Sequence, residues 1–223
     1  MSTPVEPPPL LRYRAPAGEA RSELVIKNSR FIGSAGPAPD VVAAQAFVAR
    51  IRAAYPDAQH HAWAFRLGAG RHAQSGSSDD GEPGGTAGRP MLAVLEGSGL
   101  GDVVVVGTRY FGGIKLGPGG LVRAYSGVAR QAIQALPTVE YVLHRLARLT
   151  MDYGLYNQLQ RLLPRYGARV REAQFAQEVT AVVAVPYEQA RALEAALQGL
   201  SNGRVTLLER VFQECYLRGD AEG

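Results

Sequence analysis

The chain has 223 residues, 46% of them hydrophobic and 20% charged, with a formal net charge of +4. This is ordinary globular usage with enough length for one large domain or two small ones, and it excludes a chain disordered throughout. No apolar run reaches the length a bilayer needs, so no membrane association is expected and the protein reads as soluble and cytoplasmic.

The predicted elements begin late in the chain. Met1 to Gly18 holds four prolines before Leu10 and shows no apolar periodicity, which predicts a loose arm over residues 1–19. Glu23–Ile26 and Arg30–Ala35 read as two short strands. Asp40 is placed as the N-cap of a helix with apolar positions at Val41, Ala44, Val48, Ile51 and Tyr55, and Pro56 ends it. His61–Leu67 alternates as a strand. Gly68–Pro90, rich in Gly, Ser, Asp and Gln, predicts a long loop of the kind usually kept for function. Pro90 then opens a helix over Met91–Glu96, and the unbroken Val103–Val106 run predicts a strand covered on both faces. After Tyr110 a glycine-rich stretch, Gly112 to Gly120, leads into a helix with the stripe Leu121, Tyr125, Val128, Ala132 and Leu136. Arg123 and Arg130, seven apart, share its exposed face.

Pro137 closes a first domain of residues 20–137. The remainder, residues 141–223, reads strand (Val142–Met151), helix (Asp152–Tyr166), strand (Ala168–Phe175), strand (Glu178–Val185), helix (Pro186–Leu200) and strand (Gly203–Tyr216). That β-α-β-β-α-β order is the split β-α-β, or ferredoxin-like, pattern, and the fold class expected is α+β. Leu155, Leu159, Val183, Leu193, Leu197 and Leu207 are its candidate core. In the second of its helices Ala190, Leu193, Leu197 and Leu200 form one stripe, and Ser201-Asn202-Gly203 is the stop. The single cysteine, Cys215, rules out an intrachain disulfide and a cysteine metal cluster, leaving the role of a buried structural thiol.

Two segments carry chemistry. The first contains Asp79, Asp80 and Glu82 on a glycine-rich approach to a helix N-terminus, with Thr86 and Arg89 following. Free N–H groups at such a terminus bind phosphate or are capped by the carboxylates themselves, and both readings stand. The second is Arg109-Tyr110-Phe111-Gly112-Gly113 with Lys115, Gly119 and Gly120. From Val103 to Val139 there is no Asp or Glu, while Arg109, Lys115, Arg123 and Arg130 all fall inside. Lys115 stands out in a chain with 22 arginines and two lysines, because a site that keeps lysine wants a compact point charge. A strand, a glycine loop and a helix in succession let backbone amides close on a phosphate. The spacing fits neither a Walker A loop nor the dinucleotide fingerprint. Aromatic residues beside Arg and Lys suit stacking plus charge neutralisation of a single-stranded nucleic acid; burial of Tyr110 or Phe111 in the core is the competing expectation.

Catalytic signals are thin. No Ser–His–Asp arrangement follows from spacing, and no catalytic residue is assigned. The adjacent His60 and His61 face opposite sides of a strand, so they do not pair as metal ligands, and one of them is expected to be buried. No cofactor is expected on the first reading. In the alternative, Asp79, Asp80 and Glu82 supply the oxygens of a magnesium site whose substrate phosphate is held by Arg109 and Lys115.

Ser29-Arg30-Phe31-Ile32, the Asp79-to-Gly88 segment, and the run from Val103 through Arg109-Tyr110-Phe111-Gly112-Gly113-Ile114-Lys115 to Gly117 closely resemble the YigZ/IMPACT family, over roughly residues 20 to 137. The tail is similar to the smaller second domain of bacterial members. The resemblance implies a first domain with the fold of the second domain of ribosomal protein S5, and a likeness of the pair to the last domains of elongation factor G. Eukaryotic relatives are translational regulators that act through protein partners on the kinase that senses starvation. Bacterial members look like nucleic-acid or ribosome binders by fold analogy. Gly84 stands where relatives usually carry serine.

The function expected is therefore a translation-associated regulatory factor, leaning away from an enzyme, that binds RNA or the ribosome through its basic glycine-rich surface. Its sign is a continuous positive surface with no acids in it. The magnesium enzyme requires the three acids and the basic loop to meet in one closed pocket. A third reading, a regulator that binds only protein, calls for an exposed apolar patch away from the basic face.

Overall fold

The computed structural model describes residues 10–70 and 73–219. It divides into two units, Tyr13–Glu140 and a second formed by Tyr141 onward with the segment that ends at Arg12. Fold class is mixed α and β, with antiparallel sheets.

The first unit is built on β2 (Ala20–Ile26), β3 (Ser29–Pro37), β4 (His60–Leu67), β5 (Gln74–Ser78) and β6 (Val103–Tyr110), in the order β2-β3-β6-β4-β5. All four neighbouring pairs are antiparallel. Three helices cover it: α1 (Val41–Ala54), α2 (Gly88–Ser98) and α3 (Pro118–Gln134). The valine run at the centre of the sheet explains the layering. Val103 and Val105 pack with Phe31, Ala62 and Ala64 under α2 and α3, whereas Val104 and Val106 pack with Phe65 and Leu67 under α1. All four valines are fully buried, each stabilising the fold by roughly 1.5 kcal/mol or more. Asp40 caps α1 as expected, its carboxylate accepting from the Ala43 N–H at 2.7 Å.

Three expectations for this unit need correction. The segment taken as a loose arm contains β1 (Arg12–Pro16), with Ala15 and Pro16 buried, and only residues 1–9 of the arm lie outside the described part. The first unit consequently starts at Tyr13, whose hydroxyl donates to Asp102 at 2.6 Å, rather than at residue 20. These ties are long-range and leave no periodicity. The long loop is also shorter than expected. Its Gln74–Ser78 portion pairs with β4, placing Gly76 opposite Phe65, whose ring lies 2.5 Å from where a Cβ would stand. Small polar residues give that strand no apolar alternation to read. Finally, α2 begins at Gly88 and α3 at Pro118, so Gly119 and Gly120 belong to a helix rather than to the loop before it.

The second unit runs β7 (Thr138–Met151), α4 (Tyr153–Leu162), β8 (Arg169–Phe175), β9 (Val179–Pro186), α5 (Ala190–Ser201) and β10 (Val211–Arg218). Its strands lie in the order β10-β7-β9-β8, each pair antiparallel. The six candidate core residues are all buried in one cluster. Asn202 ends α5 in the left-handed region at φ 52°. Leu200, expected on the buried stripe, is exposed; Ser201 is buried in its place, its hydroxyl accepting from the Val205 N–H at 3.1 Å. Cys215 is half-buried instead of buried, because β10 is an edge strand, and burial raises its thiol pKa.

Candidate functional site

The acidic segment leaves β5 through a tight turn with Asp80 at φ 47° and Gly81 at φ 82°. Each of its three carboxylates finds a different protein partner. Asp79 accepts from the N–H groups of Gly85, Ala87 and Gly88 at 2.7, 3.0 and 2.8 Å. It thereby serves α2, whose own N-cap residue, Ala87, offers no side chain for the purpose. Burial works to raise the Asp79 pKa, but the three N–H bonds and the charge of Arg89 outweigh it and hold the carboxyl below its ordinary value. Asp80 binds Arg52 and accepts from the His61 N–H at 2.7 Å. Thr86 is buried and donates to the Pro83 carbonyl at 2.6 Å, while Arg89 is exposed. Capping therefore describes Asp79 alone; Asp80 is held by Arg52 and the His61 N–H on the neighbouring strand.

Glu82 is the third. It is 7% exposed and lies against Arg109, itself 6% exposed, with Nη1 donating to both carboxylate oxygens at 2.9 and 3.0 Å. The Tyr125 hydroxyl donates to the same carboxylate at 2.7 Å, and burial followed by that bond drives its pKa far upward. The acidic and basic segments therefore do meet, but inside the protein. Arg109 was expected as a phosphate-binding cation. Instead its charge is matched by Glu82, because β6 carries it on the face covered by α2 and α3, where an unmatched charge is costly. The oxygen set named for magnesium is shared out among three separate partners. Among the described residues no group of three or more His, Cys, Asp or Glu side chains is arranged to hold a metal ion.

Where β6 hands over to α3 a groove of about 500 Å³ opens. Arg109, Phe111 and Lys115 line it, together with Gln59 and His60, two residues the sequence reading did not assign to the site. Pro83, Leu116, Pro118 and Leu121 supply apolar wall, and no carboxylate contributes. Phe111 is 47% exposed, with the Arg109 guanidinium 5.4 Å from its ring centre. Its N–H donates to Gln59 Oε1 at 2.8 Å. The N–H groups of Gly119 and Gly120 fall in the first turn of α3, where no intrahelical acceptor exists, and no side chain caps that end. His60 is half-buried and His61 buried, on opposite faces as expected. Burial lowers the His61 pKa against the pull of Asp80. The His60–Arg109 pairing that brings Gln59 to the groove spans two distant strands, and nothing in the local sequence signals it.

The other expected residues separate. Tyr110 is half-buried and its hydroxyl donates to Asp57 at 2.8 Å, with Arg30 5.7 Å from its ring, so it is not a core ring. Gly112 is a packing glycine: a Cβ there would stand 2.0 Å from the Asn28 backbone, and its N–H donates to Ser29 Oγ at 3.1 Å. Gly113, at φ 84°, makes the turn that follows. Lys115 and Arg123 are exposed. Arg130, also exposed, lines a second depression of about 610 Å³ between α2 and α3, beside Val94, Val122 and Ser126. Nothing lies within 4 Å of a Cβ built at Gly84, so a serine has room there.

The family model described as the Impact N-terminal domain matches residues 27–133, and one described as a domain of unknown function, DUF1949, matches residues 149–204. A Haemophilus influenzae protein described as an IMPACT family member is 37% identical over 199 residues, covering 89% of this chain and 97% of that protein. The Escherichia coli IMPACT family member YigZ is 41% identical over 184 residues, covering 82% and 90%. The Bacillus subtilis IMPACT family member YvyE is 35% identical over 193 residues, covering 86% and 88%. A solved structure described as a hypothetical protein is similar with a TM-score of 0.68 and 38% identity, covering 92% of this chain and 98% of that one.

Proposed function

Since the chain belongs to the IMPACT family, we propose that it is a cytoplasmic, translation-associated regulatory factor that binds RNA or the ribosome through the groove at the start of α3 and the exposed arginine beyond it. The carrying observation is the exposed Lys115: it lines a groove to which no carboxylate contributes among the described residues, the Arg109 charge being matched by Glu82, and Arg123 lies exposed on the helix that follows. An exposed aromatic beside a lysine and free first-turn amides supports binding of a single-stranded backbone with a base stacked on it. The strand order β10-β7-β9-β8 supports reading the second unit as a ferredoxin-like module, and the family resemblance supports the ribosomal protein S5 domain 2-like reading of the first.

The test is affinity for single-stranded RNA measured against salt. Lys115→Ala and Arg123→Ala should each weaken binding about equally across sequences and flatten the salt slope by about 0.7, one phosphate contact apiece. Absence of salt-dependent binding by the unmodified protein to RNA, DNA or ribosomal particles would end this reading. A protein-binding regulator would then take its place, favoured by the exposed Phe175 and Tyr153 of the second unit, whose rings lie 6.2 Å apart.

A further inference from the structure

We propose that the groove holds one nucleotide unit, its base lying in the groove and its phosphate on Lys115, with Gln59 hydrogen-bonding the base edge. This deepens the nucleic-acid reading and rests on it. The volume, about 500 Å³, and a wall that is largely apolar with a few polar groups describe a site for an organic ligand. A bare phosphate gains nothing from Leu116, Pro118 and Leu121, whereas a base has apolar faces to cover and a polar edge to satisfy.

Two polar groups of the lining suit such an edge. Gln59 Oε1 accepts the Phe111 N–H at 2.8 Å, which occupies the amide oxygen and leaves its NH₂ as the donor that the amide can offer a ligand. His60 Nδ1 lies 2.8 Å from the Asp80 carbonyl oxygen. A carbonyl only accepts, so Nδ1 carries the hydrogen, and the tautomer defined by that bond has its acceptor at Nε2. The site thus presents a donor on one residue and an acceptor on the next. An unpaired base shows the matching pair, an acceptor beside an N–H donor.

The experiment compares oligouridylate with an abasic oligomer of equal length by fluorescence anisotropy, and uridine 5′-monophosphate with ribose 5-phosphate by titration. The unmodified protein should bind the base-bearing oligomer about tenfold tighter, within the range that one stacked base supplies. Gln59→Glu keeps the acceptor for the Phe111 N–H but removes the donor. Its added charge weakens both oligomers alike, so the ratio between them, and not either affinity, carries the result. That ratio should fall to about twofold, at an unchanged melting temperature, since Gln59 is exposed. Binding of the free monophosphate with the same preference over ribose 5-phosphate would make a free nucleotide sufficient; preference seen only with oligomers would require a chain. Equal affinity for both oligomers in the unmodified protein, or a ratio untouched by Gln59→Glu, overturns the slot while leaving phosphate binding intact. If no oligomer binds at any salt, the proposed function falls, and the slot is then decided by the monophosphate pair, where lack of preference overturns it as well.

Discussion

Replacing Glu82 with glutamine tests whether the Arg109 charge is internal to the fold. The substitution keeps the size of the side chain and an oxygen for the Tyr125 hydroxyl, but it leaves a guanidinium that is 6% exposed without a counter-charge. Breaking a buried pair in this way costs about 3–5 kcal/mol. For a unit of roughly 130 residues such a loss lowers the melting temperature by about 10–15 °C. The one tryptophan, Trp63, lies on β4 in the same unit, so its fluorescence follows this transition without contribution from the second unit. Adding Arg109→Met to Glu82→Gln should recover most of the loss, because a buried ion pair is worth little more than an apolar replacement of similar volume. A single variant melting within about 2 °C of the unmodified protein, or a double variant no better than the single, would refute the argument and return Arg109 to the set of ligand-binding cations.

Asp79→Ala removes the acceptor of three N–H groups at the start of α2 and should cost about 1–2 kcal/mol in urea melts; Asp79→Asn, which keeps one acceptor oxygen, should cost less. The buried His61 has a pKa below its unfolded value of 6.5, so the unfolded chain takes up the proton first. Its contribution is present above that value and lost as pH falls through the folded one. The urea midpoint read from Trp63 should therefore drop between pH 7 and about 5.5, and His61→Gln should flatten the drop; a profile identical in the two proteins would count against it.

Periodicity made much of the architecture legible. The valine run, the stripe of α3 and the β-α-β-β-α-β order of the tail could all be read because each side-chain pattern reports directly on a face. What could not be read depends on partners far along the chain. Nothing in Arg109 or Glu82 alone distinguishes a surface cation from half of an internal pair; the separation of 27 positions closes only in three dimensions. Gln59 precedes a strand and looks like filler until Phe111 is beside it. Glycine was misleading for a related reason. Gly112, Gly113 and Gly119 form one compositional run, yet the first fits against the Asn28 backbone, the second makes a turn and the third lies in a helix. The resemblance gave the family but did not say which side chains point inward.

The contact between Gly76 and Phe65 has a further role in alignment. Gln74–Ser78, an edge strand of small polar residues, has no apolar pattern with which to choose its pairing, and such strands are prone to slip. Sliding it by two residues, which preserves its faces, would bring Gln74 or Ser78 opposite Phe65, where a Cβ collides with the ring. Only the glycine provides a notch, so the aromatic ring selects one alignment out of several. The selection carries onward, because the Ser78 backbone abuts Gly88 too closely for any side chain there, and the next residue, Asp79, reaches the amides that open α2. A single aromatic ring on a neighbouring strand thus indexes the placement of the whole acidic turn, including the Glu82 carboxylate three residues after Asp79.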